Sequence, residues 1–585
     1  MLSDGRTAAL LARDGSIDWL CWPRFDDDAC FAALLGCERN GHWSIAPASA
    51  VVGNDRRYQD DTLVMETDFE TADGVVRIID FLPVGTPSAS IVRMVIGLSG
   101  KVAVRSTMRL RFDYGAVSPW VALEDDTVIA KIGPDMVVLR ASVPLEVESG
   151  DELIEANFVV TQGDRVAFSM RYGRSYQPVP DALDPDAELI ATQQFWRNWL
   201  GRFDNRKTLW PAQVRRSLLT LKAMIYLPTG GLVASPTTSL PEAHGGTMNW
   251  DYRYCWLRDA SFAMVTLLNA GFHDEVKTWR DWLLRAIAGE PERIGVLYRV
   301  DGSRHVEERT IDWLEGYGGS KPVRVGNKAS TQTQIDVLGE VVDCLNLARR
   351  SGRAASEQEV AVEMRIVMHL EQVWDKPGSG IWESRSEPRH YVYARVMAWV
   401  AVDRFVAHHH DDAAIEPSLL ARLKQLAGTI REDIYRNGWN ESLGSFTHCY
   451  GGDEVDASLL LLPLVGFLPA DDPRMRATIE RIQCDLAEGG LIRRMRRKAK
   501  GRNEATFLAC SCWMADCLSL LGHNDEARTL FERVLGVAND LGLFSEQYDV
   551  KRKCLAGNFP QALTHLAVVN TALGLCGPVL QRGGG

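Results

Sequence analysis

The sequence predicts an antiparallel β-sandwich followed by an all-α (α/α)6 barrel, and three observations lead there. First, 585 residues exceed what one hydrophobic core usually organises, so two domains are expected. Second, short β-branched runs alternate with turn signals up to about residue 185, the pattern of antiparallel strands. Third, after residue 205 the apolar period changes to 3.6. With 46% apolar residues, 24% charged residues and 17 Trp, the chain is neither low-complexity disorder nor collagen nor a coiled coil.

In the first part, strands are expected at 75–82, 91–98, 102–112, 127–132, 136–143, 153–161 and 165–172, with a turn at Asp14-Gly15. So many short strands with no helix between them argue for two sheets packed face to face. The chain breaks around 178–185, and 187–203 reads as a helix strapping one half to the other. The expected division is a β-sandwich over 1–185, a linker helix over 186–204 and the barrel over 205–585.

Twelve helices are expected in the second part, near 213–226, 258–271, 273–288, 329–351, 356–374, 388–409, 416–437, 455–466, 472–487, 504–521, 523–540 and 559–573. Twelve antiparallel helices form either a solenoid or a closed ring of six hairpins. The sequence shows no fixed-length repeat, which counts against the solenoid. Loop lengths favour the ring: even-to-odd connections are mostly short, whereas odd-to-even ones are mostly long and rich in Trp, Tyr, Gly, Arg and acids. In such a ring the long loops share one face. Trp250, Trp256, Trp313, Trp382, Trp439 and Glu546 then converge on one mouth, where function is expected.

A formal charge of -12 gives nucleic acid and anionic membranes no long-range reason to approach. The one basic run, 493–502, holds seven Lys or Arg in ten positions and reads as a solvated loop. The twelve cysteines sit mostly in apolar runs, read as buried thiols and include no Cys-x-x-Cys, so a reducing cytoplasm fits. The N-terminus does not read as a signal peptide. The most apolar stretch, 457–469, is too short to span a bilayer and contains two prolines. His408, His409 and His410 read as an exposed helix end rather than a metal patch. No metal or cofactor is expected, no Gly-rich phosphate loop appears, and Gly-x-Ser-x-Gly, the signature of a Ser nucleophile, is missing too.

Aromatic rings beside carboxylates suit a sugar, because ring faces cover its C–H surfaces while acids bond its hydroxyls. Glu383, in Gly-Ile-Trp-Glu-Ser-Arg, and Glu546, in Phe-Ser-Glu-Gln-Tyr-Asp, stand in odd-to-even loops and form a candidate acid and base pair. Glu315 is a possible third acid, or simply a polar rim residue.

Four segments carry a resemblance to glycoside hydrolase family 15, the glucoamylase and trehalase family: the N-terminal stretch from Arg6 to Cys21, Asn249 to Asp259, Gly380 to Arg385, and Phe544 to Asp549 with Gly557 to His565. The resemblance spans essentially the whole chain. It implies that Glu383 is the general acid and Glu546 the general base. It also implies that Trp256, Arg258 and Asp259 hold the innermost sugar, that Tyr252 stands beside the attacking water, and that Arg494 binds sugar, with adjacent Arg493 as the alternative. Trp313 and Trp382 join these as substrate-binding candidates.

Fungal starch-degrading members have a second Glu after the general acid, and here that position is Ser384. The long loop 313–327 resembles bacterial trehalase-type members instead. The expected activity is therefore inverting, exo-acting hydrolysis of α,α-trehalose, with glucoamylase-type release of glucose from α-glucans as the alternative. An inverting phosphorylase would not need Glu546, and a non-enzymatic sugar sensor would not need both acids. The expected partner is a small sugar; the sequence leaves the oligomeric state open.

Overall fold

The computed structural model describes every residue except 149–152, 290–292, 351, 353–354, 497–503, 580–581 and 583–585. Most of the basic run 493–502 therefore lies outside the described residues.

The first part consists of two antiparallel sheets that share one strand. One sheet runs through Leu2–Ser3, Ala8–Leu11, Ser16–Cys21, His42–Pro47, the second half of Ser90–Arg109 and Leu153–Thr161. The other runs through Trp120–Glu124, Thr127–Ile132, Asp135–Ala141, Arg165–Arg174, the first half of Ser90–Arg109, Gly74–Phe81, Met65–Thr71 and Val51–Tyr58.

Ser90–Arg109 corrects an expectation. The sequence predicts two strands broken near Ser99-Gly100, but the 20 residues form one strand that passes from one sheet to the other at that point. The polar residues read as a turn mark this crossing. Gly100 has φ +69, and a Cβ there would lie 2.0 Å from the Asp73 carbonyl oxygen, so glycine permits the close approach.

Between the sheets, Trp43 of one meets Phe168 of the other edge to face at 6.3 Å. The fully buried Arg93 survives there because Asp80 accepts from it at 2.6 Å and the carbonyls of Trp43 and Gly15 accept at 2.6 Å each.

Helix α1, Pro185–Leu200, starts where the Asp184 side chain accepts from the Asp186 and Ala187 N–H groups. At its far end Trp199 stacks on Phe272 at 4.2 Å and donates to Glu275, fixing the strap to the helical part. Twelve helices follow among the described residues: α2 Pro211–Met224, α3 Leu257–Ala270, α4 His273–Ala286, α5 Ile335–Arg350, α6 Glu357–Val373, α7 Val392–His409, α8 Pro417–Asn437, α9 Leu461–Leu464 (entered through a 3-10 turn, Ala457–Leu460), α10 Pro473–Leu486, α11 Leu508–Leu520, α12 Asn524–Leu535 and α13 Ala562–Gly574.

Helices α3, α5, α7, α9, α11 and α13 touch in that order, and α13 closes back on α3. Burial explains which helices form this inner ring. α7 and α11 are buried around most of their circumference, whereas α12 buries only the stripe Ala527, Phe531 and Val534 and packs outside. All inner helices point the same way, so the six loops that precede them gather at one end.

The sandwich braces this end. Trp19 Nε1 donates to the Pro236 carbonyl at 2.8 Å. Arg253, fully buried, donates to Asp251 within its own loop and to the Asp27 carbonyl and Tyr114 hydroxyl of the sandwich, at 2.7 and 2.8 Å.

Two further expectations are corrected. Cys37, Cys484, Cys554 and Cys576 are exposed, and only the other eight thiols are buried. His409 is buried rather than at an exposed end, because its ring bonds Asp412 at 2.9 Å and lies 3.8 Å from Glu363. Among the described residues no helix is long and apolar enough to cross a membrane.

Candidate active site

A cavity of about 720 Å³ opens at the gathered loops. It leads to a smaller inner pocket lined by Trp256, Arg258, Asp259 and Glu546, and the two share Tyr252, Trp382, Glu383 and Arg494. Every lining residue of both comes from the helical half.

Glu383 is presented by a tight turn. Its N–H donates to the Gly380 carbonyl at 3.1 Å, and its own backbone is left-handed, φ 46, a conformation uncommon for a non-glycine residue. Gln332, from the loop before α5, steadies the turn by donating to the Glu383 and Ser384 carbonyls at 3.1 and 3.3 Å. The Glu383 carboxylate accepts from Arg258 Nη1 at 2.6 Å, and Arg258 Nε donates to Asp259 at 3.0 Å. Burial works against the Arg258 charge, but Glu383 and then Asp259 outweigh it and hold the guanidinium well above its ordinary range. Asp259 Oδ2 and Trp256 Nε1 are buried without protein partners, polar groups left open toward the inner pocket that both residues line.

Glu546 lies in a different setting. It is only 4% exposed; Oε1 accepts from the Tyr252 hydroxyl at 3.0 Å and Oε2 has no protein partner. Burial, reinforced by the charge of nearby Glu242, pushes its carboxyl up to about 8, while Arg494 and Tyr252 pull the other way. Burial and the Glu546 charge hold the Tyr252 hydroxyl well above its usual range, so it remains a donor. Gly557, φ +83, backs this acid closely: a Cβ there would stand 3.4 Å from Glu546 Cβ and 3.5 Å from Oε2.

Trp382 lines the cavity, stacks on Trp513 at 6.2 Å and donates to Asp456 at 2.7 Å. Arg494 lies over its ring at 5.6 Å and donates to Glu242 and Glu504 at 3.1 and 3.2 Å. Arg493 lines only the outer cavity and turns toward Glu488, at 3.6 Å. Trp313 is not brought in: it is 51% exposed and its indole donates to the Tyr114 carbonyl of the sandwich at 3.0 Å. Glu315 is exposed beside it, and neither residue lines the cavity.

Sequence reasoning passed over Glu242, Gln332 and Asp456. Only Glu242 lay in an expected long loop, whereas Gln332 and Asp456 fall in the stretches 329–351 and 455–466 expected to be helical; Glu242 finds partners up to 305 positions away in sequence. Among the described residues no group of three or more His, Cys, Asp or Glu could hold a metal ion.

Residues 212–573 match the family described as Glycosyl hydrolases family 15, and residues 1–196 match the one described as Trehalase-like, N-terminal. A trehalase of Mycolicibacterium smegmatis is 34% identical over 605 residues, covering 98% of this chain and 90% of that protein. A trehalase of Thermoplasma volcanium is 32% identical over 591 residues, covering 99% and 93%. A bacterial glucoamylase complexed with acarbose has a TM-score of 0.74 over 98% of this chain and 95% of its own; at 13% identity this likeness is one of fold.

Proposed function

The chain belongs to glycosyl hydrolase family 15, and from that premise we propose that it hydrolyses α,α-trehalose to two glucose molecules with inversion. The observation that carries this reading is the pair Glu383 and Glu546 lining one small inner pocket, one bonded by Arg258 and the other by Tyr252. Arg258 and Asp259 bond hydroxyls of the nonreducing glucose against Trp256. Glu383 delivers a proton to the glycosidic oxygen as the bond to the anomeric carbon breaks. Glu546 takes a proton from a water that attacks from the opposite face, and Tyr252 holds that base in place. Burial raises the proton affinity of Glu546, so the ionised carboxylate draws a proton from water more strongly. Trp382 and Arg494 form the wall toward the leaving sugar, with Ser384 where an anionic acceptor would favour a longer glucan.

The substrate is tested by kcat/KM on trehalose, maltose, isomaltose and maltooligosaccharides, with trehalose expected to be best. Faster turnover of maltooligosaccharides would establish the glucoamylase-type reading. β- and α-glucose should appear together in equal amounts in the earliest NMR spectra; α-glucose alone would refute inversion, since one half of trehalose is always released as α. The two roles separate on α-glucosyl fluoride, whose leaving group needs no proton. Glu383→Gln should keep much of its activity there and Glu546→Gln should not; the opposite outcome would exchange acid and base.

A further inference from the structure

Three mouth loops meet at a carboxylate outside the catalytic pair. Glu242 is 2% exposed, and its side-chain partners are all donors: Trp250 Nε1 at 2.8 Å on Oε1, with Gln547 Nε2 at 3.0 Å and Arg494 Nη2 at 3.1 Å on Oε2. Each partner adjoins the site. Gln547 follows Glu546, Trp250 precedes Tyr252 by two residues, and Arg494 lines both the cavity and the inner pocket. The backbone makes the same connection, for the Gly557 N–H, behind Glu546, donates to the Pro241 carbonyl at 2.8 Å.

These donors decide the protonation state. An ionised carboxylate accepts all three bonds, whereas a carboxylic acid would aim its own O–H at a donor. Glu242 is therefore the anion of the pair. Glu546 has one donor and an unpartnered buried oxygen, the atom left free to accept a proton. The groups that face the two acids are Arg494 and Glu504 from the loop before α11, Tyr252 from the loop before α3, and Glu383 from the loop before α7.

We propose that Glu242 is a positioning residue for hydrolysis: its carboxylate holds the Trp250, Arg494 and Gln547 segments around Glu546 and keeps a fixed negative charge facing that base. The proposal rests on Glu546 being the base. A neighbouring anion makes Glu546 a better proton acceptor, and the three bonds keep it and Tyr252 in register.

The test measures kcat, KM and the pH profile of kcat/KM on trehalose for full-length Glu242→Gln and Trp250→Phe. Glu242→Gln removes the charge, so the acidic limb should move to lower pH by on the order of one unit, a shift typical of a lost neighbouring charge. Its plateau kcat should fall roughly tenfold, a modest share of what a general base contributes, with KM changed far less. Trp250→Phe removes one donor and no charge, so kcat should fall several-fold while the limb stays in place. A Glu242→Gln profile superimposable on the wild type overturns the proposal. Should Glu242→Gln not fold, an unaltered kcat in Trp250→Phe overturns it equally. Glu546→Gln, run alongside, separates the two readings. Near-normal turnover in that variant means the base assignment has failed; its loss, with a wild-type limb in Glu242→Gln, means that only the role of Glu242 has failed.

Discussion

The turn that carries Glu383 and the loop that carries Glu546 reach the same pocket but surround their carboxyl groups in opposite ways. Glu383 is 23% exposed at its side chain and faces the Arg258 cation at 2.6 Å. Glu546 is buried, takes one neutral hydroxyl and has Glu242 as its nearest strong influence after burial itself. Two acids of one residue type thus meet different surroundings, a cation at Glu383 and a second carboxylate near Glu546. The contrast also shows where the fold spends stability: a cation offsets the charge at one acid, while at the other the buried carboxyl is left with an unpartnered oxygen.

Removing either carboxylate is the strongest way to challenge the comparison. Glu383→Gln and Glu546→Gln should each lose about 10² to 10⁴ in kcat on trehalose, the usual worth of general acid or base catalysis. Near-normal turnover with unchanged melting would remove that residue from the mechanism.

Stability against pH sharpens the comparison at an intermediate scale. With its folded pKa raised to about 8, the Glu546 carboxyl holds its proton more tightly in the folded than in the unfolded chain, where carboxyls titrate near 4.5. This group's contribution is fully present below about 4.5 and is lost as pH rises toward about 8. Glu546→Gln, which has no proton to lose, should therefore gain in Tm relative to the wild type between pH 5 and pH 8. A Tm difference independent of pH would contradict the electrostatic contrast.

The smallest effect is expected at Trp313. Because its indole bonds the sandwich outside the cavity, Trp313→Phe should leave kcat/KM within about twofold and reduce stability by about 1 kcal/mol, the scale of one lost hydrogen bond. A tenfold rise in KM would show that Trp313 enters the substrate site after all.

Much of this architecture is legible along the chain because it depends on local periodicity. The twelve helices among the described residues of the second part all fall where the 3.6 pattern places one, although α9 keeps only Leu461–Leu464 of an expected 455–466, since amphipathic stripes and buried runs are properties of neighbouring residues. Most inner helices nonetheless start several residues later than the pattern suggests; α5 begins at Ile335 rather than near 329. Several residues before them serve as pocket wall instead, among them Gln332 before α5, Tyr391 before α7 and Asp456 before α9. The strand Ser90–Arg109 misled for a related reason: Ser99 to Lys101 are polar where the strand passes between sheets, and local pattern reads polarity plus glycine as a turn.

What the sequence determined by itself is the order of sheet and helix and the alternation of short and long loops, and its motifs singled out the two candidate acids. Tertiary structure alone decided that Glu242 gathers Trp250, Arg494 and Gln547, that Gln332 steadies the Glu383 turn, and that Trp313 belongs to the sandwich contact. It also decided that His409 is buried between Glu363 and Asp412. The physical reason is reach. Periodicity and motifs record what a residue needs from neighbours within a few turns, whereas a buried polar group must find partners wherever the fold brings donors. For Glu242 two of those donors lie 252 and 305 positions away.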